Sequence, residues 1–282
     1  MLRHPLRVVV ILVFLFLNNF LFCQSSSDSL NSKSFEYLFE RFESSDVFEI
    51  QDIYASAIIT KAKKENDTIP LVAGYSFKSQ INSDWLHLAY LDSIIDIYSL
   101  KNTKYQPAIA FLNKGLYYYN KGDFKTALEN VIEARRYAKL GFNKELELEC
   151  NQYIATFKTR LGDSYEALEI FRENLEYYQE VELSSDRIEV LRLSSLYSIA
   201  VTYNDLGQFD STSYYNKWGF EKALESNNVE YQNYFRFNQG VNLLKNNKHD
   251  EALDSLIMSM PVLEKINDRA NLAIANFYVG KI

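Results

Sequence analysis

Small residues recur in this chain at fixed distances, and that rhythm restricts the fold more than any other feature. The segment GDFKTAL, opening at Gly122, returns as GDSYEAL at Gly162, as GQFDSTS at Gly207 and as NKHDEAL at Asn247, in steps of 40, 45 and 40 residues. Seven residues before each of these turns stands another small residue: Gly115, Ala155, Ala200 and Gly240. The same site extends outward to Gly74 and Gly280, at steps of 41 and 40. Of the nine glycines, seven fall on one of these two lattices, which composition alone does not produce. Self-similarity with a period of about 20–50 residues marks stacked supersecondary units, a solenoid.

Each unit reads as two helices. The first carries the small residue in its middle, so that the second can approach closely. A short turn follows, where Gly or Asn supplies a left-handed conformation that other residues resist. The second helix then places a small residue five positions past the turn, at Ala127, Ala167, Thr212 and Ala252. Large apolar residues stand beside it: Leu128 and Val131, Leu168 and Phe171, Leu253 and Leu256. Phe35, Leu38, Phe39 and Phe42 repeat at helical spacing further upstream. Asp-x-x-Glu start signals stand at Asp46/Glu49, Asp163/Glu166 and Asp186/Glu189. Pro70 and Pro107 occupy expected helix starts, whereas Pro261 lies inside an expected helix and predicts a kink. With only 9 Gly and 4 Pro in 282 residues and no useful strand-like alternation, the expected class is all-α, a right-handed α-α superhelix.

These residues resemble the tetratricopeptide repeat family. The Gly or Ala in the first helix, the Gly-Asp-Phe turn and the Ala-Leu after it match best at 107–140 and 148–181, with further units at 193–227 and 233–266. The resemblance covers 33–282 and leaves an incomplete unit at 268–282, so a partner helix is expected beyond Ile282. The spacing of 40 rather than about 34 predicts longer helices than the family's usual unit. The early large aromatic of the first helix survives as Phe111 and is replaced by Asn151, and the unit at 69–100 fits poorly because Leu86 takes the small site.

The beginning of the chain has a different character. Arg3, His4 and Arg7 precede the apolar run VVVILVFLFL, which Asn18 and Asn19 interrupt. A basic start, a short apolar centre and a polar exit describe a signal peptide over 1–23, followed by a polar linker at 24–32. Export to the periplasm or cell envelope is expected; an uncleaved leader is the other reading. Cys23 invites lipidation, but Phe22 stands where a small residue is expected. Without Cys23, Cys150 is alone and cannot form an internal disulfide; it reads as a partly buried helix residue.

The sequence carries no recognisable catalytic motif. His4, His87 and His249 are the only histidines, and no ligand-spaced His or Cys pair exists, so no metal is expected. Phosphate-binding and nucleophile motifs are missing as well, so the expected catalytic, cofactor and metal residues are none. A net charge of −7 with mixed charges disfavours binding of nucleic acid. The expected partner is a protein or peptide, held on the face lined by first helices. Projection of the pattern places Tyr119, Gln152, Thr156, Tyr197, Asn204, Tyr234 and Phe237 there, with Leu112, Leu116, Thr159, Val201 and Val241 beside them. In the family, repeats that clamp a C-terminal carboxylate carry Asn directly after the small residue; here Leu116, Thr156, Val201 and Val241 hold those positions, which argues against such a clamp.

The order of segments, from the leader ending LFCQ through KSFEYLFERFES and ITKAKKENDTIPLVAGY to the repeats, is similar to a group of bacterial envelope regulators. In that group an exported tetratricopeptide sensor precedes a membrane helix and a cytoplasmic AraC-type DNA-binding domain. The resemblance implies a sensory portion that touches the membrane only through an uncleaved leader or a C-terminal helix not contained in these residues. A histidine kinase with the same front end and a stand-alone envelope scaffold are the alternatives.

Overall fold

Thirteen helices and no strand make up the described part of the chain. The structure, a computed structural model, describes residue 30 and residues 32–101, 107–180 and 186–281. The expected leader at 1–23 lies outside the described residues, as does most of the linker at 24–32. The chain divides into two compact units, residues 1–113 and 114–282.

The first unit holds α1 (Phe35–Glu43), α2 (Phe48–Glu65), α3 (Thr68–Ile81), α4 (Asp84–Lys101) and the start of α5 (Pro107–Asn120). Ser34 caps α1 by accepting from the Tyr37 N–H at 3.2 Å, and Asp67 caps α3 by accepting from Ile69 N–H at 3.1 Å. The expected start at Asp46/Glu49 is corrected: α2 is preceded by Val47, which makes no side-chain cap, and the Ser45 hydroxyl accepts from the Val47 N–H instead. Phe42 stacks on Phe77 with ring centroids 4.0 Å apart. Gly74 also needs correction. A Cβ there would lie 2.7 Å from Ile59 Cγ1, so the glycine admits the preceding helix α2 rather than the following one.

The second unit runs from the rest of α5 through α6 (Phe124–Leu140), α7 (Lys144–Leu161), α8 (Ser164–Glu180), α9 (Asp186–Asp205), α10 (Phe209–Glu225), α11 (Val229–Lys245) and α12 (His249–Lys265) to α13 (Arg269–Val279). From α6 onward each helix packs on its successor, and α9 also touches α7 and α11 directly. The helices α6, α8, α10 and α12 have 17 residues each. Three-residue connections follow α6, α10 and α12, so a helix and its connection fill half of the 40-residue step.

The turns explain where the chain reverses. Gly122, Gly162, Gly207 and Asn247 all have left-handed backbones, with φ of 81°, 97°, 70° and 60°. At Gly162 the amide returns to the Lys158 and Thr159 carbonyls, closing α7 in a conformation that a Cβ would strain. The sequence pattern does not show the second set of turns, at Phe142, Asn227 and Asn267, with φ of 56°, 53° and 58°. Asp123 caps α6 by accepting from the Thr126 N–H at 3.1 Å, and the Thr126 side chain, together with that N–H, holds its carboxyl below the usual range. Glu166 reaches back to Lys158 at 2.8 Å. At the Asp186/Glu189 signal α9 begins with Asp186 itself, and Glu189 pairs with Arg192.

Close approach is real at two lattice glycines of this unit. A Cβ on Gly115 would stand 2.4 Å from Val131 Cγ2, and one on Gly240 would stand 2.9 Å from Leu256 Cγ. Ala155, Ala200, Ala127, Ala167, Thr212 and Ala252 are fully buried. Gly280 is a correction: it ends α13 at an exposed position and meets only carbonyls of its own helix, while Ala275 is the buried small residue there. Helix α12 continues through Pro261 to Lys265. No helix among the described residues is long and apolar enough to cross a membrane.

Candidate functional site

The face made by α7, α9 and α11 holds a cavity of about 400 Å³. Its aromatic wall comes from Tyr119, Tyr153, Phe157 and Tyr231. Tyr119 stacks on Phe157 at 4.8 Å, and Tyr153 follows at 6.1 Å from the same ring. Tyr153 and Phe157 are one helical turn apart, which puts both rings on one side of α7. At the rim Glu149 of α7 pairs with Arg187 of α9. Val190 and Leu191 supply apolar lining from α9. Burial pushes the phenols of Tyr153 and Tyr231 above their ordinary range, a shift that a hydrogen bond with Ser194 reduces at Tyr231. Both therefore stay neutral, able to donate as well as to stack.

Gln152 forms the floor, but it is committed to the fold. Its amide donates to the hydroxyls of Ser198 at 2.8 Å and Ser194 at 3.1 Å, and Ser195 donates to its carbonyl at 2.9 Å. The side chain joins α7 to α9 and is 6% exposed. It lines the groove where the sequence places it, with its amide already bonded. Two other residues expected on this face are buried and do not line the groove. Asn204 is 3% exposed and donates to Asn238 at 3.2 Å. Phe237 is 4% exposed within a cluster of Leu256, Leu263 and Ala275.

The other four expected residues are partly buried. Tyr119 and Thr156 line the groove, with the Thr156 hydroxyl bonded to the Gln152 carbonyl at 2.9 Å. Tyr197 and Tyr234 lie elsewhere, with ring centroids 5.5 Å apart, and burial raises both phenols above their usual range. On α9 the lining comes from Arg187, Val190, Leu191, Ser194 and Ser198, which begins well before the expected stripe at Tyr197. Projection from Ala200 put the stripe too near the C-terminal end of this 20-residue helix. The sequence signal that could have found Tyr153 is its four-residue spacing to Phe157. For Tyr231 the signal is its place in the first turn after the cap at Asn228.

The one free thiol among the described residues lacks the setting for chemistry. The Cys150 thiol is buried in α7, and burial pushes it up to about 12, so it is neither a thiolate nor accessible. Among the described residues no three His, Cys, Asp or Glu side chains converge as a metal-binding group. No protein-family model matches this chain, and no curated protein matches it.

Proposed function

We propose that this chain is a non-enzymatic module of a tetratricopeptide-like α-α solenoid that binds a protein or peptide. The groove on α7, α9 and α11 is the binding surface in this reading. One observation carries it: rigid aromatic rings from three helices and a paired Arg187 and Glu149 share one groove, whose polar floor is already satisfied. Such rings offer contact area at low entropic cost, and the ion pair can reopen toward charged groups of a partner. The exported sensory half of a transmembrane regulator is the proposed setting, supported by the leader and the segment order of the sequence.

Selection of displayed peptides against the full chain tests the groove. Peptides selected on the wild type should lose about tenfold or more in affinity on a Tyr153→Ala/Tyr231→Ala variant whose circular dichroism is unchanged. Equal retention by the variant rejects the groove. Fusion of residues 1–32 to a reporter active only outside the cytoplasm tests the setting; an inactive fusion rejects export.

A further inference from the structure

A second cavity, of about 440 Å³, opens between α10, α11 and α12, on another side of α11 from the groove. Tyr231 faces the groove and Arg236 the cavity; five residues separate them, roughly 140° around a helix. The cavity's base is apolar. Phe235 is almost fully buried and lies directly over Gly219, where a Cβ would come within 2.1 Å of the ring. Phe220 forms the adjoining wall, with the Arg236 guanidinium 5.3 Å from its ring centre.

The two cations and the amides around this base are donors or can act as donors. Lys217 and Arg236 line the cavity, and neither forms an ion pair among the described residues. Arg236 donates one bond to the Asn233 side chain at 3.2 Å, which leaves most of its fork unused. Gln239 stands at the end of a relay of amides running in one sense. Asn204 donates to Asn238 at 3.2 Å, Asn238 to Asn216 at 2.9 Å, and Asn216 to the Gln239 carbonyl at 3.1 Å. The relay occupies the oxygen of Gln239 and turns its NH₂ into the terminal donor, strengthened by the polarisation of the bonds behind it. At the edge the Ser213 hydroxyl accepts from Asn242 at 2.9 Å and keeps its proton for the cavity, while the Ser255 hydroxyl donates to the Glu251 carbonyl at 3.2 Å.

We propose that this cavity binds a small carboxylic acid with an aryl or branched alkyl body. The body packs on Phe220, with the buried Phe235 beneath it. The carboxylate takes the Arg236 fork, the Lys217 ammonium and the Gln239 amide. No carboxylate lines the cavity, so an acid meets no like charge there. An inorganic anion satisfies the cations but leaves the aromatic base uncovered, and a neutral apolar molecule does the reverse. The volume lies in the lower part of the range for small-molecule sites, about 300–1,000 Å³.

Isothermal titration of the full chain with 3-phenylpropionate, its amide and inorganic phosphate tests the proposal. The acid should bind about tenfold or more tightly than the amide or phosphate. Arg236→Gln and Gln239→Glu should bring the acid down to the level of the amide. Lys217→Gln, at an exposed position, should weaken the acid while leaving the unfolding temperature unchanged. Equal affinity for acid and amide, tighter binding of phosphate, no binding of the acid, or indifference of the acid to all three substitutions overturns it.

Discussion

Gly115→Ala separates the two physical demands that a helical glycine can meet. In an open helix the change stabilises by about 1 kcal/mol, because alanine loses less conformational entropy. At Gly115 the new methyl would lie 2.4 Å from Val131 Cγ2 and 3.0 Å from the Ala127 carbonyl oxygen. Val131 is fully buried and, being β-branched in a helix, has one strongly favoured rotamer. The Ala127 oxygen belongs to the backbone of α6 and moves only with the helix. Overpacking costs about 1–3 kcal/mol, and an approach of 2.4 Å to a buried side chain belongs in the upper half of that range, so after the helical gain the net effect should be a loss of roughly 1–2 kcal/mol, read as a lower urea midpoint at constant m. Val131→Ala alone should cost about 2 kcal/mol through lost burial and cavity. Combined with Gly115→Ala it should cost less than the sum by about 1–2 kcal/mol, because the smaller side chain admits the methyl. Gly280→Ala, on the same sequence lattice, meets only carbonyls of its own helix and should shift stability by less than about 0.5 kcal/mol. If Gly115→Ala is neutral or stabilising, or the double variant is additive, the close crossing of α5 and α6 is wrong.

Phe142→Asn should raise stability by about 1 kcal/mol in urea unfolding, since Phe142 holds a φ of 56° while its ring is 85% exposed and contributes little burial. Tyr178→Phe should stabilise by about 1 kcal/mol at neutral pH, because the Tyr178 hydroxyl is buried without a hydrogen-bond partner. Burial also raises the Tyr178 phenol above its ordinary value of 10.0, so its neutral form is favoured in the folded state. Stability is therefore intact below about pH 10 and falls as pH rises beyond it, when only the unfolded chain gains by ionising; Tyr178→Phe should flatten that alkaline decline. Gln152→Leu should cost about 1–3 kcal/mol by thermal or urea unfolding, as it leaves the fully buried Ser195 hydroxyl without its acceptor and removes the bonds to Ser194 and Ser198.

The helical class and the turns at Gly122, Gly162, Gly207 and Asn247 were legible because a left-handed backbone strongly selects residue type. The turn at Phe142 was not, since Gly141 beside it stays right-handed at φ −83° and the bulky neighbour takes the positive φ instead. Gly74 and Gly280 share the sequence phase of Gly115 but not its role: one receives the helix before it and the other ends a helix. A single residue type serves several backbone and packing needs, so phase alone cannot assign a crossing. On the candidate face, polarity misled in a similar way. Gln152 and Asn204 look like contact residues in a sequence, yet their amides are consumed by neighbouring helices. That information resides in Ser194, Ser195, Ser198 and Asn238, 34 to 46 residues away.

The same buried amides have a consequence for how such a chain finds its fold. Helices of similar length with similar Ala, Leu and Phe patterns bury comparable apolar area against a wrong neighbour as against the right one, since the hydrophobic effect is non-directional. A buried amide is directional. If α9 docks on a helix other than α7, Gln152 loses Ser195 and Ser198; if α11 is displaced, Asn238 loses Asn204 and Asn216. Each buried group left unsatisfied costs about 1–3 kcal/mol, which separates native from non-native pairings where apolar burial cannot. Polar residues inside α7, α9 and α11 thus do work that a larger apolar core would leave undone: they distinguish one similar helix from the next.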